Sequence, residues 1–357
     1  MLDAPTHDQV EVSLFGPAYG EALAVHYGDG LWFCIDSCLQ VDTGSPASLA
    51  YLQEIGVDVS KQVSHVALTH TDGDHVRGIS QLFDACTNAQ LIVPSALDDR
   101  HATAYLASYC EPMSPSLSVG TKEIVALLRL QGARKHGKPI HFATQDRPVF
   151  DSSGTRLTAL APDDLSIRKF IESVTSHIPR TGSIGRQPPK LKPNHSSAVF
   201  LLETRGASFL FGADLEEEPG KGWTRVVENS VQFKSATNFR VYKVAHHGSR
   251  GAHCDILWNA LDRPTSILAP FDYGRHKIPN KDEAKLIIDR SNRSFSTSSF
   301  KTKKAKRVSA VDRQLRLHRI RRSSAFPSDG HVRYRISSDG AEQVELFGGA
   351  VTLAKVS

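Results

Sequence analysis

The segment that most constrains the fold is Thr69–His75, in which four side chains able to bind a metal ion fall within six residues. It follows directly on Val63–Leu68, an apolar run typical of a buried strand. A loop this rich in carboxylates and imidazoles would repel itself unless a cation occupied it, and these groups are ligands of divalent metals. The sequence therefore predicts a metal site at the end of a strand, built on His70, Asp72, Asp74 and His75.

The same arrangement of an apolar strand followed by an acid or a histidine recurs along the chain. Leu31–Ile35 leads into Asp36, and Ser208–Phe211 leads into Asp214. The run Arg240–Val244 leads into two adjacent histidines, His246 and His247. Loops at one edge of a layered α/β structure gather ligands in this way. We therefore expect these side chains to join the first four.

The order of predicted elements indicates an α/β fold. Apolar runs typical of strands alternate with helical patterns around residues 45–56, 78–86, 97–109, 121–131, 164–174 and 222–227. Residues 177–193 are rich in proline and glycine and predict a loop. The chain closes with two strands, at about His331–Ile336 and Gln343–Phe347. We expect one large domain over 1–290 that carries the predicted metal site, a basic flexible insertion over 291–324, and C-terminal strands over 325–357 that complete the fold.

Composition places the protein among globular, cytoplasmic proteins. At 357 residues and 40% hydrophobic content, the chain can bury a large core without disulfides. Its five cysteines are odd in number and scattered, which favours buried thiols over a disulfide framework. We find no signal peptide and no apolar run of membrane-spanning length, so we expect no membrane partner.

Positive charge is concentrated in one segment. Residues 301–322 hold ten Lys and Arg against one Asp, a net charge of +9, whereas the whole chain carries +5, so the rest carries about −4. Such a segment can hold a phosphate backbone by releasing counterions, although a basic run alone more often indicates a solvated or protease-sensitive loop. The residues that we predict to contact nucleic acid are Lys301, Lys303, Lys304, Lys306 and Arg307.

The motifs together resemble the metallo-β-lactamase superfamily, whose signature loop reads His-x-His-x-Asp-His. Here Asp72 stands where that loop has its second histidine. This variant resembles the hydrolase domain of ComEC-type DNA-uptake competence proteins and their soluble bacterial relatives. The other matching segments are 16–21, 32–38, Gly-Ala-Asp-Leu-Glu at 212–216 and His-His-Gly-Ser at 246–249.

The resemblance implies a four-layer αββα sandwich with two divalent metal ions at one edge. It implies that His70 and Asp72 hold one ion, that Asp74 and His75 hold the other, and that Asp214 bridges them. Asp36 would support the loop from behind, because ligating imidazoles need an acceptor for their other N–H.

Four histidines are left open by the sequence, besides those of the loop. His246 and His247 would divide between metal ligation and proton donation, without indication of which does which. His195 lies near the place of a further family ligand. His276 lies near another such place, but its surroundings depart from the family pattern, which leaves a surface residue as the alternative.

The metal and the reaction follow from the ligand types. A carboxylate in place of an imidazole shifts the preference from zinc toward manganese, magnesium or iron. Zinc remains a candidate because several histidines are still available as ligands. A metal-bridged hydroxide, held by Asp214, would attack the substrate, and His246 or His247 would protonate the leaving oxygen. Asp74, Asp214, His246 and His247 are thus the predicted catalytic residues.

Three functions remain open at this point. The basic segment and the resemblance favour a phosphodiesterase or nuclease acting on DNA or RNA. The alternatives are a hydrolase of a small cyclic nucleotide or other small ester, and a metal-stabilised regulatory or binding protein with reduced catalysis. The resemblance to free-standing relatives also implies a role in phage defence beside a sensor or protease partner.

Overall fold

Two large sheets form the centre of the molecule. The computed structural model describes residues 2–16, 19–98, 119–134, 137–152, 154–175, 193–273, 276–299 and 329–354. Within these ranges lie two eight-stranded mixed sheets and a small two-stranded hairpin.

The first sheet combines the early strands with two from the end of the chain. Its strands are β1 Val10–Gly16, β2 Ala22–Gly28, β3 Leu31–Ile35, β4 Val63–Ala67, β5 Gln90–Pro94, β6 His141–Ala143, β16 Gly330–Ile336 and β17 Glu342–Gly348. Their order across the sheet is β17-β16-β1-β2-β3-β4-β5-β6. Strands β3, β4, β5 and β6 are parallel, and the others pair antiparallel.

The second sheet is built from the middle of the chain. Its strands are β7 Arg147–Ser152, β8 Thr155–Ala161, β9 Val199–Thr204, β10 Ala207–Phe211, β11 Phe239–Lys243, β12 Thr265–Leu268, β15 Arg293–Ser296 and β18 Val351–Thr352. Their order is β18-β15-β12-β11-β10-β9-β8-β7. Strands β10, β11, β12 and β15 run parallel, and antiparallel pairs flank them on both sides. The hairpin consists of β13 Phe271–Tyr273 and β14 His276–Ile278.

Helices cover the outer face of each sheet. Those on the first sheet's side include α1 Ala47–Glu54, α2 Val59–Gln62, α3 Gly73–Val76, α4 Ile79–Ala85 and α5 Val119–Ala133. Later in the chain come α6 Asp164–Thr175, α7 Trp223–Asn229, α8 Val231–Ser235, α9 Asp255–Leu261 and α10 Lys281–Arg290. Trp223, Leu257 and Ile287, from three of these helices, pack on the second sheet.

Three apolar clusters hold the layers together. One joins helices to the first sheet, one fills the space between the sheets, and one joins the second sheet to its helices. Phe33 and Phe211, from opposite sheets, meet edge to face in the middle cluster at 6.0 Å between ring centroids. Strands buried on both faces explain the near-continuous apolar runs in the sequence. The predicted αββα sandwich is confirmed.

The predicted insertion begins too early. Arg293–Ser296 was expected to belong to a flexible segment, but it forms β15 and pairs with β12 and β18. The sequence did not indicate this strand, because three of its four residues are polar. In the structure the buried Ser296 hydroxyl is satisfied by donating a hydrogen bond to the Ser298 carbonyl at 2.7 Å. The basic residues 301–322 lie outside the described residues, as do 99–109 of a predicted helix and 177–192 of a predicted loop.

The carboxyl ends of parallel strands from both sheets carry the predicted site residues. Asp36 follows β3, and the ligand-rich loop follows β4. In the second sheet Asp214 follows β10, and His246 and His247 follow β11. Because these strands run parallel within each sheet, their carboxyl ends collect these side chains at one rim.

The structure also bears on the expectations about membranes and cysteines. Among the described residues, no helix combines the length and the apolar character needed to cross a membrane. Four of the five cysteines, Cys34, Cys38, Cys86 and Cys254, are buried free thiols, as expected. Cys110 lies outside the described residues.

Candidate metal centre

Four buried side chains form the inner part of the site. Asp74, His75, Asp214 and His247 each place a ligand atom so that all four lie within 4.8 Å of one another. The Nε2 atom of His75 is 3.2 Å from Asp214 Oδ1, and the Nε2 atom of His247 is 3.1 Å from Asp74 Oδ2. Two imidazoles and two carboxylates at these distances are a mixed nitrogen and oxygen donor set for a divalent ion.

His70 lies beside this group. Its Nε2 atom is 4.0 Å from Asp214 Oδ2, and its ring is 4.2 Å from that of His75 between centroids. Thr69 Oγ1 holds the other ring nitrogen, Nδ1, at 2.9 Å. The Nε2 atom therefore points to the carboxylate that the resemblance makes a bridge between two ions.

Asp36 supports the loop from behind. One carboxylate oxygen accepts a hydrogen bond from the Thr69 backbone N–H at 2.8 Å, and the other accepts one from the Thr69 hydroxyl at 2.7 Å. The second oxygen also lies 2.7 Å from Nδ1 of His75. These contacts fix the ring of His75 with Nε2 facing inward, which is how an imidazole is oriented for ligation.

The structure separates the two adjacent histidines. Both have positive backbone φ angles, 46° at His246 and 54° at His247, which turn their side chains apart. His247 is buried and faces the inner carboxylates, while its Nδ1 atom lies 2.9 Å from the Ala269 carbonyl. His246 lies at the rim, with Nε2 3.9 Å from Asp214 Oδ2 and Nδ1 3.2 Å from Glu216 Oε1.

Two other predicted residues, Asp72 and His195, lie apart from the inner group. Asp72 is half-buried at the start of α3 and is not among the described residues whose ligand atoms group within 4.8 Å. His195 groups instead with Glu216 and Glu218, and its Nε2 atom is 2.9 Å from Glu218 Oε1. The side chain of His276 lies outside the described residues.

The inner carboxylates govern the charge of the imidazoles. Burial would lower the pKa of His75, but Asp214 and its neighbours outweigh burial and raise that pKa well above its usual value. The same competition at His247 raises its pKa to about 10. At His70 burial prevails, together with His75, and lowers the pKa to about 3. The negative potential that favours protons on two imidazoles is the potential that would hold a divalent cation.

Several buried polar atoms of the site make no hydrogen bond, as expected of atoms that would bind a metal. The Nε2 atoms of His70 and His75 and the Oδ1 atom of Asp214 are buried and make no hydrogen bond. A buried polar atom left in this state costs free energy, and native proteins leave few of them. Because all three atoms point into the same group, coordinated divalent cations would satisfy them.

Sequence reasoning missed a buried glutamate and a buried lysine at the site. Glu21 and Lys243 are each about 1% exposed and form an ion pair behind His75 and His247. Lys243, which follows Val241 and Tyr242 in strand β11, was the available signal, because a lysine is almost never fully buried unless it is paired. Glu216, which contacts His246, was also missed.

Aromatic side chains border the centre. The Phe271 ring lies 5.4 Å from that of His247 and 5.5 Å from that of Tyr19, between centroids. The Arg77 guanidinium lies over the Tyr19 ring at 4.5 Å. Both aromatic side chains are partly exposed, so the rim of the site offers planar apolar surface beside a positive charge.

Comparisons with known proteins agree with the resemblance seen in the motifs. No family model matches the chain. ComE operon protein 3 of Bacillus subtilis (strain 168) is 23% identical over 254 residues, covering 71% of this chain and 25% of that protein. The chain thus spans about a quarter of the length of that curated relative. This match supports a distant ComEC-like relation.

Several solved structures are similar to this chain at low sequence identity. A metallo-β-lactamase family protein from Thermus thermophilus is 17% identical, with a TM-score of 0.32, over 58% of this chain and 60% of its own. Zn²⁺-bound PqqB from Methylobacterium extorquens is 13% identical, with a TM-score of 0.28, over 53% and 51%. A flavodiiron core from Synechocystis is 11% identical, with a TM-score of 0.36, over 84% and 77%.

Proposed function

We propose that this chain is a metal-dependent hydrolase that cleaves phosphodiester bonds in nucleic acid. The observation that carries the proposal is the inner group of Asp74, His75, Asp214 and His247, buried at the rim where parallel strands of both sheets end. Its donor set and its unpartnered atoms fit divalent cations.

The donor atoms around Asp214 support a ligand set. Asp74, His75, Asp214 and His247 would hold one divalent ion. His70, whose Nε2 atom is 4.0 Å from Asp214 Oδ2, would help to hold a second ion. Zinc, manganese and iron suit such a mixture of imidazole and carboxylate, and magnesium suits the carboxylates.

The chain's own residues would divide the chemistry. Divalent ions bound here would activate water and neutralise charge on the phosphate. Asp214 would orient the attacking water by accepting its hydrogen bond. His246, at the rim and beside Glu216, would deliver a proton to the leaving oxygen. His247 is enclosed by carboxylates and would serve as a ligand.

A polyanionic substrate is supported by where the basic segment is attached. Thr297 follows β15 shortly before the segment, and Gly330 begins β16 after it. Both residues lie beside Gly16, which pairs with Gly330 and is in close contact with Thr297. Gly16 also packs closely against Ala269, whose carbonyl contacts Nδ1 of His247. The two points of the chain that flank the basic segment therefore lie close to the metal centre.

The aromatic rim supports the nucleic-acid part of the proposal. Phe271 and Tyr19 offer ring faces on which a nucleobase can stack, and Arg77 can contact a phosphate. Stacking on aromatic side chains is a sequence-tolerant way to hold single strands. We therefore expect single-stranded DNA or RNA to be cleaved more readily than duplex.

The experiment that tests the proposal is a nuclease assay with metal-stripped protein. Single-stranded DNA, duplex DNA and RNA are incubated with Mn²⁺, Mg²⁺, Zn²⁺ or Fe²⁺, and Asp214→Ala and Asp214→Asn serve as controls. We expect cleavage that depends on one or more metals and is lost in both variants.

The same assay separates the alternatives. Cleavage of a cyclic nucleotide or a small ester, with no cleavage of any polynucleotide, would refute the substrate and retain the hydrolase. Metal binding without turnover of any of these compounds would favour a regulatory or binding protein. Full activity in Asp214→Asn would refute the site.

A further inference from the structure

A buried ion pair lies directly behind the candidate metal centre. We propose that Glu21 and Lys243 form a positioning unit that fixes the metal ligands and balances their charge. This inference rests on the proposed metal centre. It concerns two residues that neither the loop motif nor the strand pattern brought forward.

Lys243 connects two elements of the second sheet. It is the last residue of β11, and its side chain is about 1% exposed. The ammonium donates a hydrogen bond to the Ala213 carbonyl at 3.0 Å and forms an ion pair with Glu21. Ala213 has a positive φ of 45° and immediately precedes Asp214. Lys243 therefore holds the backbone in the turn that aims the Asp214 carboxylate.

Glu21 contacts the ligands that surround the inner group. Its backbone N–H donates to the Asp74 carbonyl at 3.0 Å. Its carboxylate oxygens lie 3.7 Å from Nδ1 of His75 and 3.4 Å from Nδ1 of His247. One glutamate thus adjoins three of the inner four residues, and Lys243 reaches the fourth through Ala213.

Stability alone does not account for such a pair. Removing two charges from water costs several kcal/mol for each ion, and replacing buried pairs by apolar residues is often neutral or stabilising. At the metal site the pair instead fixes geometry, because Lys243 holds the turn before Asp214 and the Glu21 backbone holds the Asp74 carbonyl. The Nδ1 atoms of His75 and His247 already have acceptors, Asp36 and the Ala269 carbonyl, so the Glu21 carboxylate acts on these imidazoles through its charge.

Charge balance gives the pair a second role. Asp36, Asp74, Asp214 and Glu21 place four negative charges in the buried centre, and Lys243 supplies one positive charge. With neutral imidazoles the group carries a net charge of −3, which is suited to binding divalent cations without leaving a large uncompensated charge. Loss of Lys243 would raise this excess, and loss of the Glu21 charge would lower it.

The test compares metal binding in matched variants of the full chain. Glu21→Gln keeps the shape and a hydrogen-bond acceptor but removes the charge, and Lys243→Met removes the ammonium at similar volume. The control is Glu11→Gln, because Glu11 is also fully buried and ion-paired, to Arg335 at 2.8 Å, at the opposite end of β1. The probe is Co²⁺, whose affinity and electronic absorption spectrum are measured together with unfolding by denaturant.

We expect Glu21→Gln to weaken Co²⁺ binding by about 10-fold to 100-fold and to alter its absorption bands. Glu11→Gln should lower stability while leaving affinity and spectrum as in the wild type. If Lys243→Met does not fold, the Glu21→Gln comparison still decides the matter. Wild-type affinity and spectrum in Glu21→Gln would overturn the positioning role alone, whereas a wild-type protein that binds no divalent metal would overturn the metal centre as well.

Discussion

At the scale of single residues, the two adjacent histidines illustrate how backbone conformation sets chemical role. Their positive φ angles turn His247 inward and leave His246 at the rim, where its side chain is 19% exposed. The His247 imidazole therefore contacts the inner carboxylates, and the His246 imidazole remains accessible to a substrate.

This difference predicts separable effects of two matched substitutions. His247→Gln should reduce metal content measured by elemental analysis and abolish turnover, because an inner ligand is lost. His246→Gln should retain metal but lower kcat by about 10²-fold to 10⁴-fold, the usual contribution of a general acid. Equal metal loss in both variants would contradict the division of roles.

His331 provides a pH test away from the metal centre. The ring is buried against Phe15 and Phe347, and its Nε2 atom lies 2.9 Å from Ser13 Oγ. Burial, with help from Arg333 and Arg335, lowers its pKa to about 3. Folding thus requires the neutral imidazole, whereas an unfolded histidine takes up a proton below about pH 6.5.

The sign of the effect follows from this linkage. As pH falls from about 6.5 toward 3, the unfolded state binds the proton and the folded state does not, so the wild type loses stability. His331→Gln removes this loss. Between about pH 6.5 and pH 5, the free energy of unfolding of the wild type should fall by about 2 kcal/mol more than that of the variant. Urea unfolding at several pH values measures it, with His7→Gln as a control at an exposed position. A pH-independent difference would contradict a neutral buried His331.

At the scale of elements, the strands that flank the basic segment place its two ends near the metal centre. β15 and β16 both approach the metal rim at the points where the segment is attached. Attachment at this rim allows the basic segment to contact a substrate that is bound at the metal centre.

Neutralising this segment should therefore affect long substrates selectively. Replacing Lys301, Lys303, Lys304, Lys306 and Arg307 by Ser should raise KM for an oligonucleotide and flatten its dependence on salt concentration. kcat/KM for bis(p-nitrophenyl) phosphate should stay within about 2-fold of the wild type, since the metal centre is untouched. Unchanged KM and salt dependence would indicate that the segment does not hold the substrate.

At the scale of the whole molecule, the metal centre joins the two halves of the sandwich. His70, Asp74 and His75 come from the first sheet, and Asp214 and His247 come from the second. A bound cation would therefore cross-link the sheets, whereas its removal would leave buried carboxylates facing one another.

Metal removal should lower the stability of the entire fold. Chelation should lower Tm reversibly, and adding back a divalent ion at about 100 times its Kd should restore about 2.7 kcal/mol. Calorimetry of wild type and Asp214→Asn with and without metal measures the effect. A Tm in the wild type that is insensitive to both chelator and metal would contradict a cation at the sheet interface.

The sequence by itself determined the local parts of this protein. Val63–Leu68 and the ligand loop were recognisable because a buried strand and its following loop are contiguous in the chain. The alternation of strands and helices and most predicted strands were recoverable for the same reason, since hydrophobic periodicity is a local signal. The sandwich fold was implied by the resemblance of the motifs to the metallo-β-lactamase superfamily.

The tertiary structure decided what depends on residues distant in sequence. It placed β15 in a sheet despite its polar composition, separated His246 from His247, and brought Glu21 against Lys243 across 222 positions. It also left Asp72 and His195 outside the inner group. Pairing between distant strands is set by burial and register over the whole core, which no local pattern contains. The sequence therefore specified the kind of chemistry, and the packing of the two sheets specified which side chains can perform it.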